Sequence, residues 1–508
     1  MSLRTAIGAK RGRLVAQFLT ESALMSLLGG TAAIVVAYAG VKFLINMAFP
    51  GAHHLPIHAT PSASVLAFAI GLSLLTGILS GIAPAWLSSR AEPVETLRSA
   101  GRATFIGSSW VQRGLVVMQI ALSLMLLVGA GLFGQSLNKL RKTDLKVETK
   151  NRYIVHINPP GAGYAPSQVE QLYRLMEVRF HDVPGVAKVG ICSYTPMEDN
   201  NNGWLIQRAG SPQPRVVASF VKANAEYFDS VGTHVVSGRG IQPQDTSAAQ
   251  PVTIVNQNFV RRMFKPDENP IGHFIGLPGP ERSHSYQIVG VVEDSAYTAV
   301  RFRDHPMFFV PLGQRPTHTD QPIEKDDSMF AGAIVLETSS PSNDIEGIAR
   351  HVLTNINPNL AVVKFQTFDE QISDRFTDDR LIARLTSFFA ALALLLATVG
   401  LYGVTAYGVV RRTPEIGLRM ALGAKRSSLV AMILKSALGQ TLLGLAIGVP
   451  AALACVRFVK AQLYQVAGAN FELLALAVSV LFVASILAAS LPALRAAAID
   501  PMRALRTE

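Results

Sequence analysis

Charge is what this sequence has least of. Only 16% of its 508 residues are Asp, Glu, Lys or Arg, where a soluble protein carries about 25%. With 49% apolar residues and a mean hydropathy of +0.30, the chain reads as neither disordered nor an ordinary soluble enzyme. Cysteine is nearly absent. Cys192 and Cys455 are the two; they exclude a disulfide framework and a cysteine-rich metal site, and both are expected to be buried free thiols. Catalytic signatures are missing too. No G-x-x-x-x-G-K-[ST], G-x-S-x-G or H-E-x-x-H occurs, so no ATP hydrolysis through a Walker site is expected, and no enzyme activity. Acidic residues fall short of basic ones, 35 against 46. A basic excess raises nucleic-acid binding, or a membrane protein with basic cytoplasmic loops.

What is present decides between the two. A bilayer span needs roughly 20 apolar residues, and six stretches meet that: 22–47, 65–87, 115–137, 385–410, 429–456 and 473–494. In hydrocarbon each must be helical, because its backbone groups have no other partners. The connections 48–64 and 461–471 lack Lys and Arg, whereas the opposite ends carry Arg4, Lys10, Arg11 and Arg13, then Arg90, Arg98, Arg102 and Arg113, then Arg411, Arg412, Arg419, Lys425 and Arg426, then Arg495, Arg503 and Arg506. The positive-inside rule puts those ends, and both termini, in the cytoplasm. Residues 138–380 hold 25 basic and 28 acidic residues, so the positive excess lies wholly in the membrane part. It is a topology signal, and no nucleic-acid partner is expected. A signal peptide is the other reading of the first span, set aside because that span belongs to a repeat.

The repeat joins the two ends of the chain. LRTAIGAKRGRLVAQFL (3–19) aligns with LRMALGAKRSSLVAMIL (418–434) with 11 of 17 positions identical. IAPAWLSSRAEPVETLR (82–98) aligns with SLPALRAAAIDPMRALR (490–506), Pro84 meeting Pro492 and Pro93 meeting Pro501. Two unrelated membrane helices would not share Gly, Lys, Arg and Pro at fixed spacing. The second copy is preceded by a span and by RRTPEIG (411–417), and the first begins inside that motif.

Between the third and fourth spans, residues 138–380 read as an α+β domain. Strand-like runs occur at 153–157, 186–191, 216–221, 252–255, 286–292, 307–312, 333–338 and 361–365, with helices at 166–180 and 345–356. No active site stands out. His53, His54 and His58 in HHLPIH suit a solvated loop better than a metal site, EDNNNGW (198–204) reads as a polar loop, and Asn258, Arg261 and Arg262 read as a solvated helix face.

RRTPEIGLRMALGAKRSSLV (411–430) carries the most information. Pro414 suits a first helical turn and Glu415 its positive end. Ile416, Met420, Leu422, Leu429 and Val430 form an apolar face, with Arg419, Lys425 and Arg426 free to reach headgroups or a partner. Gly423 and Ala424 give close contact or a helix break. An amphipathic linker satisfies the same pattern. Small-residue pairs Gly77/Gly81, Ala130/Gly134 and Gly444/Gly448 are candidates for helix packing, or face lipid.

This segment resembles the cytoplasmic coupling motif of MacB/FtsX-type ABC transporter permeases. SGRGIQPQDTSAAQPVTIVNQNFVRRMF, NPIGHFIG and YQIVGVVEDS, within 237–295, resemble the MacB-like periplasmic core domain, and VQRGLVVMQIALSLMLLVGAGLFGQSL that family's first span. The resemblance spans the chain and is nearest to duplicated permeases without an ATPase (the ADOP type), with the first unit N-terminally truncated. It implies six transmembrane helices and a large α+β periplasmic domain. The expected parts are a coupling segment at 1–20, a two-helix FtsX-like unit at 21–101, a linker at 102–114, a span at 115–137, the periplasmic core domain at 138–380 and a second FtsX-like unit at 381–508. It implies a multi-pass protein of the bacterial inner membrane. ATP and Mg would be held by a partner, a cytoplasmic ABC ATPase dimer, and none by this chain. Periplasmic or outer-membrane components, or a second permease copy, are further candidate partners. Glu415, Ile416, Arg419, Ala421, Gly423, Ala424, Lys425 and Arg426 would dock on the ATPase, with Arg4, Ala6, Gly8, Ala9, Lys10 and Arg11 matching in the first copy, which lacks the counterpart of Glu415. ATP hydrolysis would be read out as periplasmic motion, for export or extraction. The alternative is a membrane-anchored sensor or structural protein that kept the fold and lost transport.

Overall fold

The computed structural model describes residues 11–48, 62–89, 106–198, 203–211, 213–298, 305–316, 321–341, 344–459 and 471–498. His53, His54 and His58 lie outside them. In chain order the elements are α1 (Arg11–Ala48), α2 (Ala63–Ser89), α3 (Ile106–Lys142), β1 (Arg152–Ile157), α4 (Val169–His181), β2 (Val186–Cys192), β3 (Gly203–Arg208) and β4 (Arg215–Ala223). Then come α5 (Tyr227–Val231), β5 (Val235–Gly238), β6 (Val252–Asn256), α6 (Gln257–Met263), β7 (Phe274–Gly276), β8 (Tyr286–Val292), β9 (Met307–Pro311), β10 (Ala333–Thr338), α7 (Ile345–Ile356), β11 (Val362–Thr367) and α8 (Phe368–Arg375). The chain ends with α9 (Thr377–Arg411), α10 (Thr413–Ala421), α11 (Arg426–Val459) and α12 (Phe471–Ala497). It divides into two compact units, Met1–Leu137 with Asp379–Glu508, and Asn138–Asp378.

Among the described residues of the first unit, five helices are long and apolar enough to cross a membrane, within α1, α3, α9, α11 and α12. The sixth expected span is helical, but its described apolar part, Ala63–Ile78, is shorter. Side chains from α3, α11 and α12 meet at Leu124, Val128, Leu445, Ala452, Leu473 and Leu481. Farther along α3, Val116 and Ile120 pack on Ala397 and Leu401 of α9 and Ala489 of α12. Close approach rests on missing side chains. A β-carbon on Gly444 would lie 2.7 Å from Ile120 Cγ2, and one on Gly448 3.0 Å from Ala121 Cα. A β-carbon on Gly77 would overlap Ser26 of α1. Ala130 is half-buried, whereas Gly134 is exposed with open space around it, so the expected Ala130/Gly134 contact is corrected to Gly131, where a side chain would overlap Leu473. The surroundings of Gly81 lie outside the described residues. Cys455 is exposed, against expectation, and Cys192 is buried.

Among the described residues, the second unit has eleven strands in one hydrogen-bonded set. β11, β1, β10, β2 and β4 follow one another in antiparallel order. From β4 the pairing runs through β3, β7, β8, β6 and β9 and back to β4, a closed circuit of six strands. The open part buries one face under α4 and α7, through Tyr173, Met176, Phe180, Ala349 and Leu353. The closed part is filled by Ile206, Phe220, Phe259, Ile288 and Phe308, with Trp204 stacked on Phe220 at 5.0 Å. Bulky β-branched and aromatic residues at every second position explain both strand formation and core filling. The polar loop expected at 198–204 is corrected at its end, where Gly203 and Trp204 begin β3. Asn258 is corrected as well. It is 4% exposed, and its backbone donates to Asp294 Oδ1 at 2.7 Å while Arg261 pairs with Asp294 Oδ2. Asn256 caps α6 by accepting from Phe259 N at 2.9 Å.

Lys222 on β4 is a charged side chain buried in the second unit. It is 1% exposed and donates to Gln314 O at 2.8 Å. Burial drives its pKa down to about 7, against which nearby Asp326 pushes up. The unfolded chain keeps that proton to about pH 10.4, so folding expels a proton between those values and stability rises with pH across that window.

Two outcomes are expected. Gly448→Val lowers the thermal stability of the membrane unit by about 1–3 kcal/mol through overpacking, while Gly134→Val leaves the melting temperature in detergent unchanged. Lys222→Met raises the hydrogen-exchange protection of β4 at pH 7 and removes the slope of about 1.4 kcal/mol per pH unit expected between pH 7 and 9; an unchanged slope would refute the assignment.

Candidate functional site: the turn between α10 and α11

α9 ends at Arg411, and one residue later the chain re-enters a helix. Arg412 N still bonds Gly408 O at 3.3 Å and Val409 O at 3.1 Å, so α10 starts from a break of a single residue. Proline is tolerated at this first turn because its missing N–H has no intrahelical partner there. Glu415 adds a negative charge at the positive helix end and pairs with Arg419 at 2.7 Å, both about half exposed.

Ile416 is the anchor. It is 1% exposed and packs with Val409, Leu429, Ile433, Ala493 and Ala496. It therefore cannot itself dock on a partner as the sequence suggests: it holds α10 onto α9, α11 and α12. Beside it lies a cavity of about 70 Å³ lined by Arg113, Arg412, Ile433 and Gln440, among others. Arg495 donates to Tyr402 Oη at 3.1 Å and ties the end of α12 to α9.

α10 is stopped by a glycine. Gly423 has φ +90°, a left-handed conformation that costs an L-residue with a side chain roughly 1–2 kcal/mol. Gly423 N bonds Met420 O and Ala424 N bonds Arg419 O, both at 3.0 Å, the paired bonds of a Schellman stop. α11 begins three residues later. Ala421, Leu422, Gly423, Lys425 and Arg426 are exposed and Ala424 is half-buried, with Leu422 79% and Leu418 52% exposed. Lys425 and Arg426 sit at the N-terminal, positive end of α11, where cations are disfavoured. Local stability does not explain them. The tip is thus an apolar knob, Leu418 and Leu422, beside two cations. Sequence reasoning missed Leu418, whose apolar side chain on the open face is the available signal. The first-copy residues Arg4, Ala6, Gly8, Ala9 and Lys10 lie outside the described residues; Arg11 opens α1. Among the described residues no group of three or more His, Cys, Asp or Glu is arranged to hold a metal ion.

Known proteins place these features. The FtsX-like permease C-terminal family matches residues 1–93 and 387–501, which includes the α10–α11 turn. The MacB-like periplasmic core domain family matches residues 114–350. A macrolide export ATP-binding/permease protein, MacB, from Psychrobacter arcticus is 26% identical over 57% of this chain and 42% of its own length. A pyoverdine export ATP-binding/permease protein, PvdT, from Pseudomonas savastanoi pv. phaseolicola is 23% identical over 84% of this chain and 61% of its own. The chain thus spans about two to three fifths of these curated relatives. The crystallised periplasmic region of MacB from Actinobacillus actinomycetemcomitans matches 46% of the chain and 97% of its own length, at 13% identity and a TM-score of 0.30. With one family laid over both ends and the other over the middle, the chain belongs to the MacB/FtsX-type ABC transporter permeases.

Proposed function

We propose that this chain is the membrane-spanning, mechanotransmission subunit of an ABC transporter, moved by a separate cytoplasmic ATPase and acting in export or extraction. The observation that carries this reading is the α10–α11 tip: two exposed leucines and two cations at the unfavourable end of a helix dipole, mounted on a buried isoleucine. Such a knob fits an apolar groove with an acidic rim on a partner. Its attachment is stiff, because Ile416 locks α10 to three helices. The outer unit is reached through α3 and left through α9, so helix movement has a covalent route to it. Glu415, Arg419, Ala421, Gly423, Ala424, Lys425 and Arg426 form the docking surface, with Leu418 and Leu422 added. The matching first-copy residues, Arg4, Gly8, Ala9, Lys10 and Arg11, would form a second and weaker one. Basic residues at the tip put it, and both termini, in the cytoplasm. The relatives' printed names, export ATP-binding/permease proteins, support the export and permease parts of this reading.

Affinity purification of the tagged chain from native membranes tests it. An ATPase subunit with a Walker motif is expected to co-purify. Glu415→Lys and Leu422→Asp cut its recovery at least about tenfold, while Val178→Asp on the outer unit does not. Gly423→Val also reduces recovery and Gly423→Asn restores part of it, since Asn tolerates the left-handed conformation. ATP hydrolysis by the purified chain alone, or recovery indifferent to Glu415 and Leu422, would sink the proposal.

A further inference from the structure

The end of the bundle that carries the α10–α11 turn holds a cavity that docking does not use. It lies among α3, α9, α10 and α11 and measures about 70 Å³. Roughly 10–15 Å³ admits one water, so the space suits a group of a few heavy atoms and is too small for a drug-sized molecule. Two cations line it from different parts of the bundle, Arg113 of α3 and Arg412 from the break after α9. Among the described residues no Asp or Glu lines it. Glu415, the carboxylate nearest to Arg412 in sequence, is held by Arg419 at 2.7 Å.

The hydroxyls of this cavity differ from others in the unit. A serine or threonine inside a helix commonly donates to the carbonyl four residues back, and Thr386, Ser387, Thr413 and Thr441 each do so. Thr405 and Ser436 line the cavity, and among the described residues neither hydroxyl has a hydrogen-bond partner. Gly408 leaves the space open, since a β-carbon there would meet nothing within 4 Å. Gln440 also borders it, but its Oε1 is buried, so that acceptor is not offered to an occupant. Two cations and two hydroxyls free to donate, with no carboxylate among them, form a site for an anion. Its depth names the anion's class. Arg113 stands two residues before the apolar stretch 115–137, and Arg412 two residues after 385–410. That is the level of lipid headgroups, where basic pockets between spans hold phosphates.

We propose that this cavity binds a single phosphate group, held by the Arg113 and Arg412 guanidiniums and the Thr405 and Ser436 hydroxyls. The phosphate belongs to an anionic lipid or comes from solution, and the test separates the two. The inference does not depend on an ATPase partner. The full chain in a non-ionic detergent is titrated with phosphatidylglycerol, with diacylglycerol of the same chains and with inorganic phosphate, and bound molecules are counted by native mass spectrometry. One phosphatidylglycerol is expected to be held at least about tenfold more tightly than diacylglycerol. Inorganic phosphate that binds and displaces it assigns the site to soluble phosphate as well; failure to displace it assigns the site to lipid. Arg113→Gln and Arg412→Gln are each expected to weaken binding about tenfold. Gly408→Leu keeps both cations and fills the space, and is expected to weaken it at least as much. Lys435→Gln removes an exposed charge beside Ser436 that does not line the cavity, and leaves binding within about twofold. If Gly408→Leu fails to fold, the two arginine variants, set against Lys435→Gln, decide. Binding of neither inorganic phosphate nor phosphatidylglycerol in preference to diacylglycerol, an equal loss in Lys435→Gln and the arginine variants, or unchanged binding in a folded Gly408→Leu chain overturns the proposal.

Discussion

A peptide group in hydrocarbon has no water to bond, so the membrane part of this chain must be helical and its helices must meet through side chains alone. Lipid tails are as apolar as leucine, which removes the hydrophobic drive between helices and leaves packing to decide contact. Gly444 and Gly448 on α11 accordingly meet α3 so closely that a β-carbon would lie 2.7 Å from Ile120 Cγ2 or 3.0 Å from Ala121 Cα. Ser123 adds a polar tie, donating to Ala393 O on α9 at 3.0 Å. The same close packing continues to the end of the bundle, where Ile416 is seated among α9, α11 and α12.

That seating holds a nine-residue helix in a fixed place at the end of the bundle. An amphipathic helix this short is unstable in isolation, and its own propensity contributes little. α10 persists because Ile416 is buried and Gly423 ends it in a conformation that returns the chain directly into α11. Apolar contact fixes its position, and charge is left for the outside.

Much of this was legible in the residues. The β-branched runs at 186–191, 252–255, 286–292 and 333–338 became β2, β6, β8 and β10, and helix 345–356 matched α7 to the residue. The missed strands had weak local signals. β7 has three residues, and β5 exposes its valines, so neither shows a buried alternation, and β3 begins inside the stretch read as a polar loop. Closure of six strands was illegible because it depends on pairings between distant segments, such as β4 with β9, which no local pattern encodes. The glycine stop and the basic tip were readable from spacing. The inward turn of Ile416 was not, since an apolar residue on an amphipathic helix faces lipid, partner or core with the same sequence.

The closed strand circuit has a consequence for association. A ring of paired strands shortens its free backbone rows, so β3, β4, β6, β7, β8 and β9 give a foreign strand little to zip onto. Among the described strands the open sheet ends at β11, which pairs with β1 alone. A lysine, Lys364, stands in the middle of that edge and is half exposed, the kind of charge that discourages edge-to-edge aggregation. Among the described strands the set therefore has two open borders, the exposed four-residue β5, paired with β8, and β11, and the longer of the two carries a gatekeeper.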